Sequence, residues 1–176
     1  MDKPVSSFHF RFMALGFKFR DMFMSPREIV EQAGTKRGLH VLDYGCGPGS
    51  YSIAAAEVVG ESGRVYALDI QPLALEMVKN SAVKKGLENI ETILSDCTTG
   101  LPDKSIDLVL LFDIYHALSE AESVLKELHR VLKPDGKLSF SDHHLKEGAD
   151  QIESKGLFRL SEKKVRKTVI YTFVKS

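Results

Sequence analysis

The sequence predicts an α/β fold in which helices cover both faces of a mostly parallel sheet. Strand-like and helix-like segments alternate through most of its 176 residues, and such alternation implies right-handed β-α-β crossovers. The run 108–112, Leu-Val-Leu-Leu-Phe, is almost continuously apolar, as in a strand that is buried on both faces. A glycine-rich turn at 45–49 joins the first apolar strand to a helix, and turns of this kind are typical of ligand sites in such sheets.

The individual elements are predicted from apolar periodicity and from the residues that begin and end helices. Strands are predicted near residues 39–44, 64–69, 90–95, 106–112 and 137–142. Helices are predicted near residues 50–59, 72–85, 119–132 and 146–154. A further helix begins after Ser25, whose side chain can cap it, has Pro26 in its first turn and extends to Gly34. Two apolar segments, 157–160 and 168–174, flank a charged stretch and predict a terminal hairpin.

The N-terminal segment, residues 5–24, is rich in aromatic side chains. Helical spacing places six apolar side chains on one face, namely Phe8, Phe12, Leu15, Phe19, Met22 and Phe23. The alternation at 8–12 also fits a short strand. Three interpretations of the helix stay open: it packs this apolar face on the domain, it closes as a lid over a ligand, or it lies on a membrane surface. Arg11, Lys18 and Arg20 beside the phenylalanines are compatible with the last of these.

Composition and charge limit the class of protein. The chain carries 24 Lys and Arg against 24 Asp and Glu, so its formal net charge is zero and no overall field attracts a nucleic-acid backbone. Its two cysteines, Cys46 and Cys97, do not indicate a disulfide framework. No apolar run reaches the roughly 20 residues that span a bilayer, and no signal peptide is evident. We expect a cytoplasmic protein with no nucleic-acid partner and no stable membrane insertion, and its oligomeric state stays open.

The glycine-rich turn is the most informative motif of the chain. It reads Asp43-Tyr-Gly45-Cys-Gly47-Pro-Gly49, and glycine lets the backbone approach a ligand closely. Asp69 ends the next predicted strand, where a carboxylate can accept hydrogen bonds from both hydroxyls of a ribose. Together, these features predict an adenosine-containing cofactor on a Rossmann-like sheet.

The glycine spacing distinguishes between adenosine cofactors. The dinucleotide fingerprint is G-x-G-x-x-G/A, but its last position here is Ser50. Asp43 lies just before the glycines, where a carboxylate would repel a pyrophosphate and would suit a cationic group of the cofactor. The pattern D-x-G-x-G-x-G, followed by Asp69, resembles that of the class I S-adenosylmethionine (SAM)-dependent methyltransferases.

The resemblance continues along the chain. Ser95-Asp96-Cys97 resembles the adenine-binding segment of that family, 106–116 its fourth strand and following loop, and 128–138 its turn into the fifth strand. The small-molecule branch that includes the ubiquinone and menaquinone C-methyltransferases is the most similar. The resemblance implies a Rossmann-like three-layer sandwich whose seven-stranded sheet ends in the antiparallel hairpin. It also implies SAM as cofactor, with S-adenosylhomocysteine as product.

The resemblance assigns roles to residues at the carboxyl ends of the strands. The cofactor-binding set comprises Asp43, Gly45, Cys46, Gly47, Gly49, Asp69, Ile70, Asp96, Cys97 and Phe112. Within this set, Asp43 would order the loop or reach the ammonium group, and Asp69 would bind the ribose. Ile70 and Asp96 would hold the adenine, and Phe112 or Asp113 would neighbour the methionine part.

Methyl transfer needs a general base when the acceptor atom is protonated at neutral pH. The candidates, at the predicted ends of the fourth and fifth strands, are Tyr115, His116, His143 and His144. We favour His116, Tyr115 and His144 as catalytic residues, although His116 could equally be a structural histidine. If the fifth strand continues through Asp142, then Asp142 and His144 converge while His143 diverges. A metal site there would need a further ligand, and we predict no metal.

We therefore expect a SAM-dependent methyltransferase that acts on a small, apolar or aromatic acceptor. The chain divides into an N-terminal helical lid and substrate segment, 1–35, and a SAM-binding domain, 36–176, which together form one compact unit. Two alternatives come from other classes. The protein could bind SAM without catalysis, as a sensor or a subunit, or it could be an NAD-dependent oxidoreductase, against which the serine at position 50 counts.

Overall fold

The structure, a computed structural model, describes residues 4–145 and 148–176. The strands are β1 (His40–Tyr44), β2 (Arg64–Asp69), β3 (Ile90–Leu94), β4 (Ile106–Phe112), β5 (Leu132–Ser141), β6 (Phe158–Val165) and β7 (Val169–Lys175). They form one seven-stranded sheet in the order β3-β2-β1-β4-β5-β7-β6, in which β7 pairs antiparallel with both of its neighbours. The predicted α/β fold, with its mostly parallel sheet and antiparallel hairpin, is confirmed.

Helices cover both faces of the sheet. They are α1 (Ser7–Phe23), α2 (Pro26–Gln32), α3 (Ser50–Val59), α4 (Pro72–Lys85), α5 (Ala121–Val131) and α6 (Gly148–Glu153), with a 3₁₀ turn at Tyr115–Ala117. α6 corresponds to the helix predicted near 146–154, of which residues 146 and 147 lie outside the described part. None of the helices in the described ranges is long and apolar enough to cross a bilayer.

The strand order places a crevice at the carboxyl end of β1. From β1 the chain adds β2 and then β3 on one side, whereas β4 and β5 lie on the other side. Val41 of β1 therefore pairs with Val65 of β2 and with Leu108 of β4. In open α/β sheets, ligands bind where the strand order reverses in this way.

The core lies on both faces of β4. Leu111 packs on one face in a cluster with Leu125 and Phe140, and Leu110 packs on the other face in a cluster with Val41 and Ile29. Both leucines are fully buried. This explains the continuous apolar run of β4, because neither face of the strand contacts water.

Two strands are longer than predicted. β5 begins directly after α5, at Leu132 rather than near residue 137, because Leu132 pairs with Ile106 ahead of a register shift in β4. β6 continues through the charged stretch as far as Val165. It is an edge strand with mostly exposed side chains, where charges discourage pairing with another sheet.

The N-terminal segment forms a helix rather than a short strand, but the face that it packs on the domain is not the predicted one. The six apolar side chains predicted on one face are all exposed. The side chains that pack inward are Phe10 and Ala14, with Phe17 half-buried behind them. The interpretation that the first face packs on the domain is therefore wrong, since α1 has two apolar faces and the other one is buried.

Candidate functional site

A central cavity of about 260 Å³ lies at the carboxyl ends of β1, β2 and β4. Its walls are Val5, Phe10, Met13, Phe17, Tyr44, Gly45, Gly47, Leu68, Asp69, Ile70, Gln71, Ser95, Asp96, Asp113, Ile114, Ala117 and Leu118. The walls are mostly apolar, and a few polar groups converge from separate loops. This composition is typical of small-molecule and cofactor sites.

The glycine-rich turn shapes one wall of the central cavity. Gly45 has a φ of +74°, and a Cβ at this position would lie 2.6 Å from the side chain of Ile114. Gly49 has a φ of +92°, and a Cβ at this position would lie 2.6 Å from Val78 of α4 rather than from a residue of the cavity wall. Gly45 and Gly47 line the cavity, whereas Gly49 allows the start of α3 to pack against α4.

Asp69 holds the glycine turn and borders the central cavity. Its carboxylate accepts hydrogen bonds from the backbone N–H groups of Gly47 and Gln71, each at 2.8 Å. Burial raises the pKa of Asp69, and these hydrogen bonds oppose that rise because they favour the ionised form. Each carboxylate oxygen can accept more than one hydrogen bond, so Asp69 keeps acceptor capacity for a ligand hydroxyl in the cavity.

Asp43 lies beneath the turn rather than in the cavity wall. It is 2% exposed, and the hydroxyl of Ser52 donates a hydrogen bond of 2.5 Å to its carboxylate. Burial raises the pKa of Asp43 to about 7, and the negative charge of Asp69 adds to the rise. Of the two roles predicted for Asp43, this geometry favours the ordering of the loop, since Asp43 joins the end of β1 to the first turn of α3.

Asp43 should make the stability of the ligand-free protein depend on pH. Its pKa is about 7 in the folded protein against an ordinary value of 3.8, so between these values the folded state holds a proton that the unfolded chain has released. We expect the free energy of unfolding to fall as pH rises through this window, by up to about 1.4 kcal/mol per pH unit. Asp43→Asn should remove this part of the slope. Urea unfolding at several pH values measures it, and an unchanged slope in Asp43→Asn would contradict the assignment.

The other residues predicted to bind the cofactor are divided between two cavities. Ile70 and Asp96 line the central cavity, and the Tyr44 hydroxyl donates to the carbonyl of Asp96 at 3.0 Å. A small cavity of about 50 Å³ adjoins the central one and is lined by Gly45, Cys46, Gly47, Phe112 and Asp113, among others. Cys97 is half-buried and packs against the core instead.

The N-terminal segment closes one side of the central cavity. The side chain of Gln71 donates a hydrogen bond of 2.6 Å to the carbonyl of Val5, ahead of α1. Near the other end of α1, the Ser50 hydroxyl donates to the carboxylate of Asp21. α1 is thus tied at both ends to loops at the carboxyl edge of the sheet. Sequence reasoning did not single out Asp21, although an acidic residue in an otherwise aromatic and basic helix was a signal.

Arg20 lines both the small cavity and a third cavity next to it. Its guanidinium lies 5.1 Å from the ring centre of Phe17 and 4.9 Å from that of Tyr51, and 3.7 Å from the Asp113 carboxylate. The third cavity, here called the side cavity, has a volume of about 280 Å³. It is lined by Arg20, Met24, Ile29, Tyr51, Phe112, Asp113, Ser141, His143 and Thr168. Because the small cavity and the side cavity share four of these residues, they are neighbours.

Two aspartate–histidine pairs lie beside the side cavity. His143 Nδ1 lies 2.7 Å from the Asp113 carboxylate, and His116 Nδ1 lies 2.9 Å from that of Asp142. The ring of His144 lies between the two histidines, 3.9 Å from His143 and 4.2 Å from His116 between ring centres. Burial raises the pKa of Asp142, but hydrogen bonds from the His116 ring and from backbone N–H groups outweigh burial and lower the pKa overall.

The predicted divergence of His143 from His144 is wrong, because their rings lie together. It assumed that β5 continues through residue 142, but β5 ends at Ser141 and the chain then turns, with Leu145 donating to the carbonyl of Asp142. The alternation of strand side chains therefore does not apply beyond Ser141. The turn brings the histidine rings together, and His143 is the one that lines the side cavity.

The three residues favoured as catalytic from the sequence, Tyr115, His116 and His144, do not line these cavities. Tyr115 is buried, and its ring packs edge-on against Phe140 at 5.7 Å. His116 and His144 lie beside His143 but are not among the residues that line the three cavities. Within residues 4–145 and 148–176, no group of three His, Cys, Asp or Glu side chains is arranged to hold a metal ion.

Comparisons with known proteins agree with this geometry. Residues 35–170 match the family described as methyltransferase domain. Demethylmenaquinone methyltransferase of Geobacillus stearothermophilus is 31% identical over 74% of this chain and 56% of its own length. Aklanonic acid methyltransferase DauC of Streptomyces sp. strain C5 is 34% identical over 68% of this chain and 56% of its own length. The chain thus spans a little over half the length of these curated relatives.

Solved structures share the whole architecture. A SAM-dependent methyltransferase from Aquifex aeolicus superimposes with a TM-score of 0.78 at 29% identity, covering 88% of this chain and 91% of its own. A TehB-like SAM-dependent methyltransferase from Corynebacterium glutamicum has a TM-score of 0.73 at 18% identity, covering 97% and 100%, which shows the fold alone.

The described residues fit SAM. The Asp69 carboxylate at the tip of β2 suits ribose hydroxyls, and the apolar walls around Ile70 suit an adenine ring. Below the turn, the negative charge of Asp69 adds to the rise in the pKa of the buried Asp43 carboxyl, and a cationic group of the cofactor would relieve this repulsion. The family match over residues 35–170, the strand order and these cavity walls agree, and the chain belongs to the class I SAM-dependent methyltransferases.

Proposed function

We propose that this protein transfers the methyl group of SAM to a small, apolar or aromatic acceptor bound in the side cavity. The observation that carries the proposal is the position of that cavity beside the small cavity at the glycine turn, with Phe112 and Asp113 in both walls. Met24, Ile29, Tyr51 and Phe112 give it an apolar lining. The names of two relatives, which refer to demethylmenaquinone and aklanonic acid, also support a small acceptor.

The part that the chain itself plays is mainly positioning. SAM, when bound, supplies a methyl group that is already activated by the sulfonium. Much of the acceleration then comes from holding the acceptor in line and close to that group. We infer that α1 acts as the lid of residues 1–35, since its inner face lines the central cavity and two hydrogen bonds tie the segment to loops there. Closure of this lid would exclude water from the transfer.

His143 is the base that we propose for an acceptor with an ionisable proton. The Asp113 carboxylate at Nδ1 favours the tautomer with a proton on that nitrogen, which leaves Nε2 free to accept the proton of the acceptor. Asp113 also contacts Arg20 and has a φ of +53°, a conformation that few residues other than glycine adopt. His116, held by Asp142, remains a second candidate of the same chemistry, and His144 lies between the two.

The function is tested by incubating the protein and SAM with a panel of hydroxylated aromatic and apolar acceptors. We expect S-adenosylhomocysteine to form with at least one acceptor of this class, and not with a control panel of RNA, DNA and peptides. Tight binding of S-adenosylhomocysteine without turnover on any acceptor would favour a sensor or subunit instead. Binding of NAD in place of SAM would favour an oxidoreductase.

A further inference from the structure

The outer face of α1 exposes large apolar side chains to solvent. Six of them lie on one side of the helix and are between 63% and 84% exposed: Phe8, Phe12, Leu15, Phe19, Met22 and Phe23. The rings of Phe19 and Phe23 contact each other edge-on at 5.1 Å. We call this set the aromatic stripe. A contiguous exposed patch of this kind is typical of an interaction surface.

The aromatic stripe has no place to pack within the described part of the domain. The opposite face of α1 carries Phe10 and Ala14, which are 5% and 3% exposed, and its anchors at Val5 and Asp21 fix the rotation of the helix. Turning the stripe inward would expose Phe10 and break both anchors. The helix is therefore apolar on two faces, and each face requires a different partner.

The charges on α1 indicate the chemistry of the outer partner. Arg11 and Lys18 are exposed and are seven residues apart, so they lie two turns apart along the same edge of the stripe. The acidic residue of α1, Asp21, is engaged with Arg20 and Ser50 on the inner side. The outer face thus carries positive charge on a chain whose formal net charge is zero.

We propose that the aromatic stripe docks on an anionic lipid surface, with its phenylalanines in the interfacial region and Arg11 and Lys18 at the headgroups. An interfacial helix has this arrangement of aromatic side chains next to basic residues. A second copy of the chain is a poorer occupant, because pairing two identical stripes would bring Arg11 and Lys18 close to their own copies. The docked helix would place the cavities behind it next to the bilayer, where an apolar acceptor of the proposed function partitions.

Flotation of the full chain with vesicles tests the proposal. Vesicles of equal parts phosphatidylglycerol and phosphatidylcholine are compared with pure phosphatidylcholine at low and high salt. We expect binding to the anionic vesicles that weakens with salt. Arg11→Gln with Lys18→Gln should lower the partition coefficient about 25-fold, since each basic residue contributes about fivefold. Phe8→Ser, Phe12→Ser and Phe19→Ser together should reduce it below detection.

A matched control removes one exposed apolar and two basic side chains elsewhere, through Lys79→Gln, Val83→Ser and Lys84→Gln on α4. It should bind vesicles like the unmodified protein. Circular dichroism and S-adenosylhomocysteine binding should be unchanged in all variants, because none of these side chains lines a cavity described above.

The variant with the three phenylalanine substitutions is here called the stripe variant. Equal vesicle binding by the stripe variant and the α4 control would overturn the proposal. A dimer in sedimentation that the stripe variant abolishes, without vesicle binding, would assign the stripe to a second copy. Since vesicle binding is measured without an acceptor, failure here and failure of methyl transfer are distinguishable.

Discussion

Replacing Asp69 with alanine should weaken the binding of S-adenosylhomocysteine about 10²- to 10⁴-fold. The expected loss corresponds to two hydrogen bonds between a carboxylate and the ribose, each contributing about 1.5–3 kcal/mol. Asp69 also accepts from the N–H groups of Gly47 and Gln71, so alanine releases the turn as well as the ribose. Asn at this position keeps one acceptor oxygen and should cause a smaller loss.

Calorimetry on the unmodified protein, Asp69→Ala and Asp69→Asn measures this ranking. Asp135→Asn is the matched control, because Asp135 is an exposed carboxylate in the first half of β5, away from the carboxyl edge of the sheet. Its affinity should be unchanged. Melting temperatures show that each variant is folded. Equal affinities for the Asp69 and Asp135 variants would mean that the cofactor is held elsewhere.

His143→Gln should lower kcat about 10²- to 10⁴-fold with an acceptor that must lose a proton, which is the usual contribution of a general base. Glutamine retains a polar side chain of similar reach but cannot take up a proton near neutral pH. The affinity for S-adenosylhomocysteine should not change, because His143 lines the side cavity rather than the central one. A glutamine variant that retains the full kcat with such an acceptor would contradict the assignment of the base to His143.

His116→Gln is the informative comparison for this prediction. It removes a second aspartate-bound histidine, which is separated from His143 by the ring of His144 and does not line the side cavity. We expect it to change kcat much less than His143→Gln. The reverse ranking would assign the base to His116, one of the three catalytic residues predicted from the sequence.

The fold was predictable because its signals are local. Alternating apolar segments define the strands and helices, and the turn at 45–49 marks the crevice at the end of β1. Asp69 ends β2 and Ile70 follows it directly, so their place in the cavity wall follows from the strand assignment. The packing role of Gly49 could not be predicted from the local sequence, since Val78, the residue that it contacts, lies on another helix.

Two features of the site depended on information that periodicity does not carry. Helical spacing identifies an apolar face on α1, but it does not decide whether that face or the one with Phe10 and Ala14 is buried. For His143, the prediction depended on where β5 ends, because the alternation of strand side chains no longer applies once the chain turns after Ser141. The contacts of Arg20 with Tyr51 and Asp113 join distant segments and had no sequence pattern of their own.

The reversed direction of β7 has a practical consequence for attaching the molecule to a surface. Lys175 lies at the amino-terminal edge of the sheet, where its ammonium group donates to the carbonyl of Leu132 at the start of β5. The adjoining Ser176 is therefore on the far side of the sheet from the cavities, whereas Val5 lies in a cavity wall. A biotin or fluorophore coupled to a cysteine introduced by Ser176→Cys leaves α1 free on a sensor chip, whereas the same label at Val5 would crowd it.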